Sequence, residues 1–336
     1  MRYKLLIISL LIVVFSSCEK LMFEENGKSD DAYDNFDYLW EQCHEKYAFF
    51  AYKGIDWEHE KTVYRNCLYE GMSKDSLFSV MAAMLDELRD DHVNLVSDFN
   101  RSFYGNYRRG QDNFDWRIVA DNYLPENYYV SGPFSHDFLA GDSIGYIRLS
   151  SFPGNIDGEN LDFVLNRYQN TEGLILDIRE NGGGSIADVY DLLSRFVDQK
   201  TLLYHSRMKS GPGNDDFTAS EPVYIEPEGG ERYHKTVCLL TDRGSYSASS
   251  FTALGARAID NVVIVGDTTG GGLGVPNGGQ LPNGWTYRFS VTQTLDKNGN
   301  NYESGVPPHI TALMDWSDRA TDEVIERAVQ EIYARR

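Results

Sequence analysis

The sequence predicts an α/β protein: a largely parallel β-sheet built from βαβ units and preceded by an N-terminal helical module. Three observations carry this. From Ile144 onward, short apolar runs alternate with amphipathic stretches, the pattern of strand–helix–strand units. The runs "GLILDIR", "TVCLLTD" and "NVVIVGD" are nearly continuous, as expected of strands buried on both faces. Upstream, apolar residues recur at three- and four-residue steps, the period of a helix.

The elements follow in order. Residues 1–17 have a basic start, Arg2 and Lys4, then an apolar run over 5–15 that is too short to span a bilayer. The "FSSC" that follows is similar to a bacterial lipobox, in which Cys18 is lipidated and becomes the N-terminus. In an ordinary cleaved signal peptide Cys18 would be incidental. Either reading exports the protein. The lipobox reading places it in the cell envelope, held to a membrane through Cys18.

Residues 18–30 are polar and read as a tether. Residues 31–97 read as helices. Phe36, Trp40, Cys43, Tyr47 and Phe50 form one stripe, and Leu77, Val80, Met81, Met84, Leu85 and Leu88 another. Gly54 interrupts the pattern and Trp57 restarts it. Residues 98–143 mix aromatics with turn residues, an aromatic-rich insert with short strands. Residues 144–336 form the core domain. Besides the three runs above, "IGYIRLSSF" reads as a strand and "NLDFVLNRY", "IADVYDLLSRFV" and "SASSFTALGARAI" as helices. "WTYRFSVT" alternates as an edge strand does. "TDEVIERAVQEIYARR" closes the chain as a helix, with Val324, Ile325, Ala328, Val329 and Ile332 on one face.

Composition narrows the function. Aromatics reach 13% of 336 residues, which argues against disorder. The net charge is −20, and loss of residues 1–17 leaves 29 basic against 51 acidic side chains, a balance of −22. Such a surface repels nucleic acid and anionic lipid. Beyond Cys18 stand Cys43, Cys67 and Cys238, an odd number that leaves at least one thiol unpaired. Cys238 lies in an apolar run and reads as a small buried hydrophobe; a Cys43–Cys67 pairing stays open. His44, His59 and their acidic neighbours lack metal-ligand spacing and read as solvated helix surface. No metal or cofactor is expected, and oligomeric state leaves no mark in the sequence.

The chemistry concentrates in "TDRGSYSASS", residues 241–250, with Ser245, Ser247, Ser249 and Ser250 inside it. It follows a buried strand and opens a helix. Chemistry in α/β sheets gathers at the carboxyl ends of strands, and a helix start presents free N–H groups. Ser247 is therefore either a nucleophile or a helix N-cap, a role serine fills well. A serine nucleophile needs a base. Of seven histidines, His92 in "LRDDHVNL" stands where a helical stripe runs out into a loop. The glycine loops "NGGGS" (181–185) and "GDTTGGGLG" (266–274) carry no following Lys, which makes both poor phosphate cradles.

"LILDIRENGGGS", "DRGSYSASSFTALGA", "VIVGDTTGGG" and "YESGVPPHI", in this order, resemble the C-terminal processing (tail-specific) serine peptidase family. "MLDELRDDHVNL" resembles the block that ends that family's helical module. The resemblance spans about 144–315, and more loosely 31–97. It implies a crotonase/ClpP-like fold and a protein or peptide substrate. It places the nucleophile at Ser247. In the bacterial processing branch the base is a Lys at the position held here by Gly272. The other branch, similar to the tricorn core protease and to retinoid-binding-protein repeats, uses a His and a Glu, which match His92 and Glu303.

The implied chemistry is attack by the Ser247 hydroxyl, with His92 taking the proton and returning it to the leaving amine. Glu303 or Asp91 would orient the imidazole. The N–H groups of Ala248 and Gly183 would form the oxyanion hole. Relatives carry a PDZ module of about 80–100 residues, near the small end of domain sizes; only 51 residues, 93–143, precede Ile144, so no full PDZ fits. A cell-envelope serine peptidase is the expected function. A non-catalytic ligand- or peptide-binding lipoprotein on the same fold is the alternative, and a lipid-anchored scaffold with a decayed site the third.

Overall fold

The structure, a computed structural model, describes residues 28–108, 110–139 and 141–336. The signal-peptide and Cys18 readings lie outside the described residues, as does most of the tether. Among the described residues no helix is long and apolar enough to cross a membrane. The chain divides into two compact units, described in turn; elements are numbered along the whole chain.

The first unit comprises 28–104, 211–214 and 276–290. Side-chain caps set its helices. Asp31 accepts from the amides of Tyr33 and Asp34 and starts α1 (Ala32–Lys46). The short α2 (Phe50–Lys53) stops at Gly54, which adopts the left-handed conformation with φ 63°. Asp56 caps α3 (Trp57–Arg65) and Ser73 caps α4 (Lys74–Asp86). The first stripe is core, with Phe36, Trp40, Cys43, Tyr47 and Phe50 all buried; of the second, Leu77, Met81, Met84, Leu85 and Leu88 are buried and Val80 is half-buried. After α4 the chain turns through Asp90–His92 into β1 (Asn94–Val96). Beside it runs Thr286–Ser290, the central strand of an antiparallel sheet whose far edge is Pro276–Gln280.

This corrects two expectations. "WTYRFSVT" supplies a middle strand rather than an edge. Residues 276–290 also belong with the helical module rather than with the 144–336 core. Their partner strand lies far upstream (Leu95 opposite Tyr287), a pairing that local periodicity cannot report.

The second unit comprises 105–210, 215–275 and 291–336. It opens with α5 (Trp116–Asn122) and the hairpin β2 (Tyr129–Ser131) and β3 (Phe134–Leu139). The 98–143 stretch is thus not a separate insert: β3 pairs along β4 (Ile144–Leu149) and extends the main sheet. Next come α6 (Gly158–Arg167), β5 (Gly173–Asp177), α7 (Ile186–Leu193), β6 (Thr201–Met208) and β7 (Glu221–Ile225). They are followed by β8 (Val237–Thr241), α8 (Ala248–Ala256), β9 (Val262–Gly266), β12 (Thr292–Leu295), β13 (Ile310–Thr311) and α9 (Glu323–Ala334), the two intervening strands being those of the first unit. Among the described residues, seven strands form the main sheet in the order β13-β9-β8-β5-β4-β3-β2, parallel from β13 to β4. A smaller antiparallel sheet has the order β12-β6-β7.

The continuous apolar runs follow from burial on both faces. Leu174, Leu176, Val237, Leu239, Val262 and Ile264 pack with α6, α7 and α8. Their strand neighbours Ile175, Cys238, Leu240, Val263 and Val265 pack on the other face with α5 and α9. Successive side chains of a strand point oppositely, so a sheet covered on both sides demands apolar residues at every position.

A buried ion cluster fastens the carboxyl end of β5. Arg179 donates to Asp177 and to Asp322, the cap of α9, at 2.7 and 2.9 Å. Burial alone would raise the Asp177 carboxyl; Arg179 and Arg148 together hold it below the usual carboxylate range. Removing one partner from such a cluster strands a buried charge, at a cost of about 3–5 kcal/mol. The three cysteines within the described residues are free, Cys43 and Cys238 buried and Cys67 exposed. Lys297 sits at the tip of a turn, where Asp296 accepts from the amides of Asn298 and Asn300.

Candidate active site

Three loops leave the carboxyl ends of neighbouring parallel strands: 178–185 after β5, 242–247 after β8 and 267–274 after β9. The structure sorts the four serines of "TDRGSYSASS". Ser245 is buried and donates to the Ile178 carbonyl and to Asp242. Ser249 donates to the Asn181 carbonyl at 2.7 Å. Ser250 donates to Thr269 Oγ1 at 2.9 Å. These three hydroxyls brace the loops.

Ser247 differs in exposure, in capping and in backbone conformation. It alone of the four is not buried. It occupies the N-cap position of α8, yet its side chain makes no capping hydrogen bond. Its backbone stands at φ 54°, ψ −116°, a conformation that L-residues rarely adopt and that marks functional turns. The N-cap reading therefore does not account for it. Its amide donates to the Gly271 carbonyl at 2.9 Å, which pins the turn to the third loop.

The first loop closes against the turn. A β-carbon on Gly183 would lie 2.8 Å from Ser247 Cβ and 2.9 Å from the Ala248 nitrogen. Only glycine fits there, and its φ of 99° requires glycine as well. Asn181, unremarked in the sequence, joins the two loops. Its carbonyl accepts from the Tyr246 amide and the Ser249 hydroxyl, and its side-chain amide donates to Leu149. Its Oδ1 accepts from the Gly183 amide at 2.9 Å, so this candidate oxyanion donor is engaged by Asn181. The Ala248 amide belongs to the first turn of α8, where N–H groups have no intrahelical acceptor. An Asn before a glycine run is the available sequence signal, because Asn side chains bond the backbone two residues on.

Glu303 is buried in the same unit. One carboxylate oxygen accepts from the amides of Leu273 and Gly274 at 2.7 and 2.9 Å. Its own carbonyl accepts from the Gly272 amide at 3.0 Å. Beneath the turn, Asp242 accepts from the amides of Glu180 and Ser245. Burial nevertheless pushes its carboxyl up to about 6.

His92 and Asp91 belong to the first unit. His92 is buried, and its amide donates to Asp90 Oδ1 at 2.9 Å. The buried carboxylate of this turn is Asp90, which the sequence reading passed over for Asp91. Asp90 also accepts from Tyr47 Oη at 3.1 Å and faces Lys53 Nζ at 3.6 Å. Burial opposes its charge, but Lys53, His92 and the hydrogen bonds outweigh it and hold its carboxyl below the usual range. Asp91 is half-buried. Among the described residues no group of three or more His, Cys, Asp or Glu side chains gathers to hold a metal.

A parallel-centred sheet that presents a strained serine at a helix start, beside a glycine loop, defines the class: an α/β fold of the serine peptidase kind. The pattern of peptidase family S41 matches residues 143–312, just over half of the chain, and that of the tricorn protease C1 domain matches 30–86. The chain belongs to peptidase family S41. A crystallised candidate peptidase from Parabacteroides merdae superposes with a TM-score of 0.85 at 35% identity, covering 90% of this chain and 97% of that one. The carboxy-terminal processing proteases CtpA and CtpB of Bacillus subtilis are 25% identical over 213 residues and 27% identical over 175. The alignments cover 62% and 51% of this chain but only 42% and 34% of those proteins.

Proposed function

We propose that this protein hydrolyses peptide bonds, with Ser247 as nucleophile, His92 as general base and Glu303 as a supporting carboxylate. The observation that carries the reading is Ser247 itself. It holds a strained backbone at a helix start without capping the helix, while the three other hydroxyls of its stretch are spent on loop bracing. Gly272 leaves no lysine at the base position of the Ser–Lys branch, so an imidazole is the base the chemistry asks for. The oxyanion would be met by the Ala248 and Gly183 amides, the latter once it leaves Asn181. Loss of one such donor costs roughly 10²–10³ in rate.

The relatives named as carboxy-terminal processing proteases support a protein or peptide substrate. Cys18 and the apolar run before it support a lipid-anchored envelope protein; palmitate labelling lost in Cys18→Ala tests that, and an unlabelled wild type overturns it. For the enzyme, a fluorophosphonate probe followed by intact mass is decisive. A single adduct lost in Ser247→Ala supports the reading. A folded wild type that takes no label, yet binds peptide, would make this a binding protein. An imidazole base also predicts activity that falls as acid protonates it; activity that rises only above about pH 9 would point to a lysine near its usual value.

A further inference from the structure

Tyr107 spans the loops on either side of the nucleophile. Its ring stacks on Tyr246, the residue before Ser247, with centroids 4.3 Å apart and planes 27° apart. A β-carbon on Gly182 would lie 3.4 Å from the Tyr107 hydroxyl, and one on Gly270 would lie 3.1 Å from its ring. One tyrosine therefore touches the loop after β5, the turn after β8 and the loop after β9. Beside it, Arg108 pairs with Glu180 at 3.2 Å and donates from Nε to the Tyr107 hydroxyl at 3.2 Å. Glu180 belongs to the glycine loop that packs on Ser247. Each tie is of a kind that opens readily: the ion pair is more than half exposed on the arginine side, and an exposed pair with one aromatic stack holds a state by roughly tenfold.

We propose that Tyr107 and Arg108 form a latch across the nucleophile loops, which an extended peptide must displace in order to bind. This rests on the reading of those loops as the substrate site. An extended chain laid along the Ser247 turn needs the surface that the Tyr107 ring covers, and Tyr107 holds it through the stack and the arginine tie. The cost of opening the latch is charged to every binding event, because apparent affinity scales with the population of the open state.

The test separates the latch from the nucleophile. In the full chain carrying Ser247→Ala, binding of a fluorescein-labelled casein peptide is followed by anisotropy. Tyr107→Ala with Arg108→Ala is expected to tighten binding about three- to tenfold. Tyr107→Phe, which keeps the stack but loses the Arg108 hydrogen bond to the hydroxyl, should tighten binding less than the double variant. Glu180→Gln, which cuts only the ion pair, should fall between the parent and the double variant, and it covers the case in which the double variant folds poorly. Affinity unchanged, weakened or undetectable in both the double variant and Glu180→Gln overturns the latch. In the Ser247 parent, faster fluorophosphonate labelling of the latch variants is expected. Tightened peptide binding with no labelling of any variant would leave the latch standing and remove Ser247 as nucleophile.

Discussion

Ser247 and Glu303 are held by one short strip of backbone. The Ser247 amide donates to Gly271, the next amide along donates to the Glu303 carbonyl, and the two after that donate into its carboxylate. One oxygen of Glu303 takes both of these amide bonds, so its charge can be removed without removing their acceptor. Glu303→Gln keeps an acceptor for both amides and should leave the melting temperature within a few degrees of wild type. If the charge serves the reaction, kcat/KM should fall about a hundredfold, within the range for acid–base assistance. Glu303→Ala orphans two buried amides at about 1–3 kcal/mol each and should lower both stability and activity. A glutamine variant with full activity would reduce Glu303 to a structural brace.

Gly183 and Asn181 make a second pair whose removal separates fold from chemistry. Alanine at 183 meets three atoms of the Ser247 turn at under 3 Å and must hold a left-handed backbone. We expect Gly183→Ala to lose at least a hundredfold in labelling of Ser247, read by intact mass against time. Gly182→Ala, whose new carbon meets the Tyr107 hydroxyl at 3.4 Å, should stay within about fivefold of wild type, since ordinary packing contacts are tolerated. Equal rates for the two variants would show that Gly183 does not shape the nucleophile turn.

The parts that were legible in the sequence are those that burial writes into every residue. β5, β8 and β9 are covered on both faces, so their apolar runs appear whole and mark the loops at their carboxyl ends in the sequence. Position left Ser247 as either a nucleophile or an N-cap, and the resemblance to the peptidase family singled it out as the expected nucleophile. Asn181 and Asp90 were not found. Each acts through a short-range bond from its side chain to the amide two residues on, which leaves no period in the sequence. In "RDDH" either aspartate satisfies the pattern, and only burial against Tyr47 and Lys53 distinguishes Asp90 from Asp91. The strand 286–290 was misplaced because its partner comes from the far end of the chain.

Asp242 gives a pH prediction with a definite sign. Its folded carboxyl titrates at about 6, above the unfolded value of about 3.9. The folded state therefore binds that proton more tightly, and the stabilisation this brings is full below about pH 4 and lost as pH rises through 6. Asp242→Asn keeps an acceptor for the Glu180 and Ser245 amides and removes the buried charge. It should be more stable than wild type by about 1–3 kcal/mol at pH 8, with the gain vanishing near pH 4. Urea unfolding at the two pH values measures it. A gain of equal size at both, or a loss at pH 8, would mean that hydrogen bonding to the charged carboxylate outweighs its burial.

Gly272 stands where the Ser–Lys branch keeps its base, and Tyr246 shows why no side chain stands there. Gly272 has φ 74°, and a β-carbon on it would overlap the Tyr246 ring. The residue before the nucleophile thus fills the space that a side chain at 272 would need. Gly272→Lys should cost about 2–5 kcal/mol, the sum of a left-handed non-glycine residue and an overpacked core. It should not restore activity to His92→Ala. Adding Tyr246→Ala removes the overlap but not the backbone strain. In a double-mutant cycle the pair should therefore cost less than the two single changes added together, by about 1–3 kcal/mol. Additive costs would mean that the Tyr246 ring moves aside without loss, and that the missing lysine has some cause other than this ring.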